Sequence, residues 1–177
     1  MTERPKPVRI LGIDPGSRVT GYGIIDFHQN NARHVASGCI HVGGNDLTAR
    51  LKAIFEGISA LVDGEGPTEL AVEQVFFHRN AASALKLGQA RGAALMAGVT
   101  RGLPLYEYSP NQVKQAVTGR GHASKDQVQH MIKMLLSLRD LPASDAADAL
   151  AVAICHGHTR QTLARMQRAS ALYGAPR

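Results

Sequence analysis

Apolar and polar positions alternate along the chain in two patterns, one typical of strands and one typical of helices. Three apolar, β-branched segments come first, separated by short turns, which predicts an antiparallel meander. Segments with apolar residues three and four positions apart follow and alternate with short strands, as in amphipathic helices. The predicted strands are VRILGID, TGYGIIDF, HVASGCIHV, ELAVEQV and PLYEYSP, and the predicted helices cover residues 47–62, 80–102, 111–119, 124–138 and 144–158.

This order of elements predicts the fold class. Three consecutive strands followed by alternating helix and strand indicate an α/β fold with a mixed sheet. We expect three antiparallel strands and then two parallel ones, with helices on both faces of the sheet. The first strand, which is apolar throughout, should be covered on both sides.

The two ends of the chain differ from its interior. Residues 1–7 contain two prolines and polar groups, and we expect a flexible N-terminal arm. From about Thr159 the chain carries arginines but no acid, which indicates a flexible basic tail or a short helix ordered by a partner. We therefore predict one domain, residues 8–158, between this arm and a basic C-terminal tail, residues 159–177.

Charge indicates a polyanionic partner without proving one. The 177 residues have a formal net charge of +6, and the pI is about 9.7. Between residues 76 and 133 eight Lys or Arg residues face only two acids, Glu107 and Asp126. Such a regional bias fits a nucleic-acid-binding face, but it fits an ordinary solvated basic surface equally well.

Cysteine usage and hydropathy narrow the class of protein. Cys39 and Cys155 are far apart and form neither a disulfide framework nor a zinc pattern. No apolar stretch approaches the ~20 residues that span a bilayer, and the N-terminus lacks the apolar segment of a signal peptide. We expect a soluble, cytoplasmic protein.

Four carboxylates stand beside apolar runs at the ends of predicted elements. Asp14 ends the first strand, Glu73 lies near the end of ELAVEQV, and Asp145 and Asp148 begin the most apolar helix. A lone ionised group beside buried surface is destabilising, and strand ends of open sheets are where ligands usually bind. Since the two helical aspartates share a face, docking of that helix onto the strand ends would bring all four groups together.

Divalent metal would relieve the repulsion among four such groups. Hard oxygen donors without Cys or a reliable His favour Mg²⁺ or Mn²⁺, and two ions clamping a phosphodiester make a nuclease site. Structural explanations stay open for three of the acids. Asp145 could cap its helix, Asp148 could complement the helix dipole, and Asp14 could belong to a turn, whereas Glu73 has no local partner.

Other candidate residues carry weaker signals. Phe76 and Phe77 point to opposite sides of an extended segment, so one could stack on DNA bases, although both could lie in the core. His156 and His158 face different ways on a helix and are interpreted as ordinary helix-end histidines. The glycine-rich GIDPGSRVTGYG lacks a dinucleotide-binding spacing, and its glycines are expected to serve tight turns and close strand packing.

Four ordered motifs resemble a known family. ILGIDPGSRVTGYGI, EQVFFHRNAASALKLGQARG, VKQAVTGRGHASKDQVQHM and DAADALAVAICHGH together are similar to the bacterial RuvC Holliday junction resolvases. The likeness covers roughly residues 10–159. It implies a ribonuclease H-like fold, a homodimer, and metal-dependent cutting of four-way DNA junctions in homologous recombination and DNA repair.

The resemblance also implies site residues, cofactors and partners. The family's catalytic and metal-binding acids fall on Asp14, Glu73, Asp145 and Asp148, and its DNA-binding positions fall on Phe76, Lys114 and Lys125, with Arg79 as a guessed phosphate contact. We expect two Mg²⁺ ions per site, replaceable by Mn²⁺, and paired symmetric nicks that leave 5′-phosphate and 3′-hydroxyl ends. The implied partners are junction DNA, a second subunit and the RuvA–RuvB branch-migration complex. From its composition, the Ala-rich helix of residues 80–102 is a candidate for the interface between subunits.

Two other functions are compatible with parts of the sequence. Actin-like and sugar-kinase ATPases also open with a GIDPG-like strand and turn, but they need two such domains around the nucleotide. A junction-binding module without catalytic activity would use the basic surface and leave the carboxylates idle.

Overall fold

The computed structural model describes residues 6–44, 46–74 and 80–173, and the order of its elements is the predicted one. The strands are β1 (Val8–Asp14), β2 (Val19–His28), β3 (Asn31–His41), β4 (Glu69–Glu73) and β5 (Leu105–Tyr108). The helices are α1 (Leu47–Glu65), α2 (Ala81–Val99), α3 (Pro110–Thr118), α4 (Lys125–Leu135) and α5 (Ser144–Tyr173).

The strands form one mixed sheet in the order β3-β2-β1-β4-β5. β2 pairs antiparallel with both β1 and β3, whereas β4 lies parallel to β1 and β5 lies parallel to β4. This arrangement confirms the predicted ribonuclease H-like sheet of three antiparallel and two parallel strands. Its consequence for function is that β1, β4 and β5 all end at the same edge.

Helices cover both faces of the sheet, as predicted. On one face Ile10 and Ile25 lie in a core shared with α3, α4 and α5. On the other face Leu11, Ile13 and Ile24 pack with α1 and α2. Successive residues of a strand point to opposite faces, so the even-numbered residues of β1 face α5.

Helix α5 lies very close to the centre of the sheet because glycines face it. A β-carbon at Gly12 would stand 2.0 Å from the carbonyl oxygen of Ala149, and one at Gly21 would stand 2.0 Å from that of Asp145. No side chain fits these positions without moving the helix. In the glycine-rich segment, Gly12 and Gly21 therefore allow close packing of a helix on the sheet, whereas the prediction was close packing of strands.

A buried polar network ties the middle of α5 to β4 and β5. His156, 1% exposed, lies 2.6 Å through Nδ1 from the Tyr108 hydroxyl and 2.6 Å through Nε2 from a Glu69 carboxylate oxygen. Arg160 donates to the other Glu69 oxygen at 2.9 Å. Because the carboxylate can only accept, the imidazole donates from Nε2 and accepts the Tyr108 O–H at Nδ1. Burial lowers the pKa of His156, which favours this neutral form.

Three details of α5 differ from the sequence-based expectations. The helix begins at Ser144, so Asp145 belongs to its first turn rather than capping it. The helix continues to Tyr173, so His156 lies in its middle, and the prediction of a helix-end histidine was wrong. Residues 159–173, expected as a flexible tail or a short helix, extend α5 without a break, while the domain boundary at residue 158 stays a prediction. None of the helices described here is long and apolar enough to cross a membrane.

Replacing Gly12 with Ala is expected to lower the free energy of unfolding by about 3 kcal/mol, because the added methyl group meets the backbone of α5. Gly64→Ala is the matched control, since a β-carbon there meets no atom within 4 Å in α1. That substitution should change stability by less than about 1 kcal/mol, in the stabilising direction. Urea unfolding followed by circular dichroism measures both, and equal stabilities of the two variants would contradict the packing argument.

Candidate active site

Asp14 and Glu73 are the last residues of two neighbouring parallel strands. Ile13 of β1 is in register with Val72 of β4, so the two acids follow side by side, on strands ~4.8 Å apart. Both lie on the face of the sheet that packs against α5, since Gly12 and Ala71, two residues earlier, face that helix. The sheet alone therefore places two of the predicted carboxylates together.

The start of α5 brings the other two acids to the same edge. Gly21 is the β2 partner of Asp14, and the carbonyl of Asp145 rests against it. Asp148 follows one turn later on the same side of the helix, with its side chain 28% exposed. The four carboxylates singled out in the sequence thus lie around one point, where two strands end and one helix begins.

A cleft of about 270 Å³ opens at this point. Its lining residues come from β1, β4, α3, α4 and α5: Asp14, Glu73, Pro110, Val113, Lys114, Lys125, Val128, Asp148 and Val152. Three of the four acids and both predicted DNA-binding lysines therefore share one cavity. Asp145 does not line it but lies close enough for its charge to act on Asp14.

The electrostatics of the cleft are those of crowded, partly buried carboxylates. Burial, followed by the charges of Asp148, Asp145 and Glu73, raises the pKa of Asp14 to about 7. Burial and then Asp148 also raise the pKa of Glu73, while Lys125 and Lys114 act in the opposite direction. Ionisation of these carboxyl groups is therefore unfavourable, and a cation bound between them would stabilise the ionised form.

Lys125 supplies positive charge inside this cleft. Its Nζ donates to Asp148 Oδ2 at 3.2 Å, and the proximity of Asp148 raises the lysine pKa. The side chain is 74% exposed, so the ammonium group is open to solvent as well as bonded to the carboxylate. The lysine stands at the start of α4, whose first turn is fixed by a capping box between Ser124 and Gln127.

The carboxylates suit a hard divalent cation by their chemistry. They offer oxygen donors of the kind that Mg²⁺ and Mn²⁺ prefer, and a bound cation would offset the burial and the carboxylate repulsion that raise the pKa of Asp14. Among residues 6–44, 46–74 and 80–173, however, no three His, Cys, Asp or Glu side chains are arranged as a ready-made metal cluster. The residues fit the ion by type and charge.

Comparison with known proteins identifies the family of this site. The family model for "Crossover junction endodeoxyribonuclease RuvC" matches residues 10–156, which is most of the chain. A curated protein of that name from Methylococcus capsulatus is 59% identical over 160 residues, covering 90% of this chain and 96% of its own length. One from Tolumonas auensis is 56% identical, covering 89% and 91%.

The chain belongs to the RuvC family. Among solved structures, Thermus thermophilus RuvC in complex with a Holliday junction substrate is similar with a TM-score of 0.82 and 34% identity, over 88% of this chain and 96% of that one. The yeast mitochondrial Holliday junction resolvase Ydc2 has a TM-score of 0.68 at 13% identity, over 97% of this chain and 87% of that one, and shows a shared fold alone.

Not every predicted DNA contact of this RuvC-family chain falls within the described residues. Phe76 and Arg79 lie outside the described residues and stay predictions. Sequence reasoning instead missed Arg91, whose guanidinium donates to the backbone carbonyl of Glu73 at 2.8 Å and to the Glu107 carboxylate at 2.6 Å. This arginine, whose side chain is 15% exposed, holds the end of β4 and so the position of Glu73. The only signal in the sequence was that Arg91 is one of two basic residues, with Lys86, in an Ala-rich and largely apolar helix.

Asp14→Asn is expected to stabilise the metal-free RuvC-family protein by a margin that grows with pH. The pKa of Asp14 is about 7 in the folded chain against an ordinary 3.8. Below the lower value the carboxyl is protonated in both states. Between the two values the folded parent keeps a proton that its unfolded state has lost. The free energy of unfolding of the parent therefore falls as pH rises, by at most about 1.4 kcal/mol per pH unit, while Asn at this position does not titrate. Above pH ~7 the difference is constant.

Urea unfolding of parent and variant in EDTA, between pH 4 and pH 8, measures this margin. A difference between the two proteins that stays the same across that range would contradict the raised pKa.

Proposed function

We propose that this protein resolves Holliday junctions by metal-dependent hydrolysis of phosphodiester bonds, with Asp14, Glu73, Asp145 and Asp148 as its metal-binding catalytic residues. Membership of the RuvC family makes the chain a crossover junction endodeoxyribonuclease, which acts in recombination and DNA repair. The observation that supports the residue assignment is that Asp14, Glu73 and Asp148 line one cleft with Lys114 and Lys125, while Asp145 is close enough for its charge to act on Asp14.

The chemistry follows from the residues of the cleft. Bound by the four carboxylates, two Mg²⁺ ions, replaceable by Mn²⁺, would supply Lewis-acid activation of water and neutralise phosphate charge. Lys114 and Lys125 bind the phosphate and hold the scissile group against the acids. Lys125, already bonded to Asp148 and open to solvent, stabilises the charge that develops as the P–O bond breaks. The products carry 5′-phosphate and 3′-hydroxyl ends.

Cleavage of two strands requires two such sites, and the exposed face of α2 supports a homodimer. Leu85, Met96 and Val99 are exposed apolar residues on this helix, and a β-carbon at Gly88 or Gly92 would meet no atom within 4 Å. At helical spacing these five residues form one stripe directed away from the core. A twofold axis through this stripe would place two sites on strands of like polarity and give paired symmetric nicks.

Other parts of the proposal rest on resemblance and composition. Phe76 is proposed to stack on a junction base and Arg79 to bind a phosphate. Cooperation with the RuvA–RuvB branch-migration complex is inferred from the family alone. Residues 8–158 are proposed as the nuclease domain, and the free thiols of Cys39 and Cys155 fit a reducing compartment such as the cytoplasm.

Asp14→Asn and Glu73→Gln are each expected to abolish junction cleavage, by a factor of about 10³ or more, while junction binding is retained, because the charge that holds metal is lost but the lysines remain. Incubation of a synthetic four-way junction with protein and Mg²⁺, with an EDTA arm and mapping of the cut sites, measures cleavage. A gel-shift assay in EDTA measures binding.

Asp63→Asn is the control for these variants, since Asp63 lies on α1, does not line the cleft, and pairs with Arg101. Nicking by either site variant at near the parental rate would overturn the assignment. Binding without any cleavage by the parent protein would instead favour the non-catalytic junction-binding module.

Gly92→Glu is expected to convert the dimer to a monomer, because it places a charged side chain in the middle of the α2 stripe. Gly64→Glu is the matched control, since it makes the same change at an open position of α1. Sedimentation velocity measures the mass of both variants. A Gly92→Glu protein that stays dimeric at micromolar concentration would rule out this stripe as the interface.

A further inference from the structure

A second cleft opens at the same edge of the sheet as the active site, on the side of α1 and α2. Its volume is about 490 Å³. The residues that line it come from the turn between β1 and β2, the segment before α1, and the first turns of α1 and α2: Ser17, Arg18, Gly44, Leu47, Arg50, Ala82, Leu85, Lys86 and Gln89. We call it the α1–α2 cleft.

The α1–α2 cleft is lined by positive charge from three separate elements. Arg18 comes from the β1–β2 turn, Arg50 from α1 and Lys86 from α2, and no Asp or Glu lines the cleft. Asp46, the acid next to it along α1, accepts a hydrogen bond from the backbone N–H of Ala49 at 2.7 Å and so caps the helix. The fold thus collects three cations around one cavity without a lining carboxylate to neutralise them.

These three cations are also unpaired within the part of the chain that the structure describes. Seven other Lys and Arg residues there form ion pairs: Arg9, Arg33, Lys52, Arg91, Arg101, Lys125 and Arg160. Arg18, Arg50 and Lys86 form none. In addition, Nε of Arg50 is buried and has no hydrogen-bond partner among the described residues. A buried guanidinium N–H without an acceptor is costly, and an anionic ligand would satisfy it.

The α1–α2 cleft is close to the carboxylates. Arg18 follows Asp14 by four residues, so their Cα atoms are at most ~14 Å apart. At ~3.4 Å per nucleotide along a strand, this separation corresponds to about four nucleotides. Lys114 and Lys125 line the active-site cleft from α3 and α4, on the opposite face of the sheet. The carboxylates therefore stand between two groups of cations.

We propose that Arg18, Arg50 and Lys86 bind the sugar–phosphate backbone of a junction arm, within about four nucleotides of the scissile phosphate. The guanidinium groups and the ammonium group bind phosphate oxygens, and Ser17 and Gln89 add hydrogen-bonding groups at the same cavity. DNA is then held on both sides of the reacting bond, which fixes its position over the carboxylates. This assignment rests on the proposed function.

The test compares two triple variants that remove the same charge. The cleft variant is Arg18→Gln, Arg50→Gln and Lys86→Gln. The control variant is Lys52→Gln, Arg165→Gln and Arg168→Gln, which removes exposed cations outside both clefts at the carboxylate edge. Binding of a fluorescent four-way junction is measured in EDTA at several salt concentrations for the parent and both variants. EDTA prevents cleavage, so the measurement reports binding alone.

The cleft variant is expected to bind more weakly and to reduce the slope of log Kd against log salt by about 2 to 3, since each lost phosphate contact removes about 0.9. The control variant should reduce it by less than about 1. Equal slopes for the two variants would overturn the proposal. If the triple cleft variant melts earlier than the parent, Arg18→Gln with Lys86→Gln, both exposed residues, replaces it, with an expected reduction of about 2.

Parental cleavage with Mg²⁺ keeps this result separate from the proposed function. If the parent cuts junctions and the two variants have equal slopes, only the phosphate-binding role of the α1–α2 cleft is refuted. A parent that binds but does not cut refutes the nuclease function and leaves the comparison of slopes meaningful.

Discussion

The close contact between α5 and the glycines of β1 and β2 is the constraint on which the site depends. Asp14 sits at the end of β1, and Asp145 and Asp148 sit at the start of α5, so their separation is set by how near the helix comes to the sheet. Gly12 and Gly21 allow backbone contact there, because neither carries a β-carbon. Farther along the helix, His156 binds Tyr108 and Glu69 and holds α5 against β4 and β5.

Bringing four carboxyl groups together in a partly buried site makes their ionisation unfavourable, and this property serves the binding of a cation. Burial disfavours the ionised carboxyl group of Asp14, and the charges of the three neighbouring acids add to this effect, which is why the pKa of Asp14 rises to about 7. A folded core stabilises the arrangement, and the cations around it, Lys125 in particular, offset part of the repulsion. Active sites commonly keep such locally unfavourable charge because a substrate or metal ion relieves it on binding.

The basic residues near the carboxylates come from different elements and have different roles. Lys114 and Lys125 approach from α3 and α4, while Arg91 is used internally to hold the end of β4. A strand of DNA that crosses this edge of the sheet meets positive charge before and after the acids. Of the basic residues between positions 76 and 133, some therefore support the fold and others are exposed. Composition alone does not distinguish the two groups.

The sequence by itself determined the order of strands and helices, the mixed sheet and the four acids, because hydrophobic periodicity and the cost of charge beside apolar runs are local properties. It did not determine that α5 continues to Tyr173, that His156 is buried in its middle, or that Arg91 supports Glu73. Each of these depends on partners far away in the chain: Tyr108 and Glu69 for the histidine, and the end of β4 for the arginine. Which charges are paired and which are left open was decided by tertiary packing, since only packing sets the distances between elements.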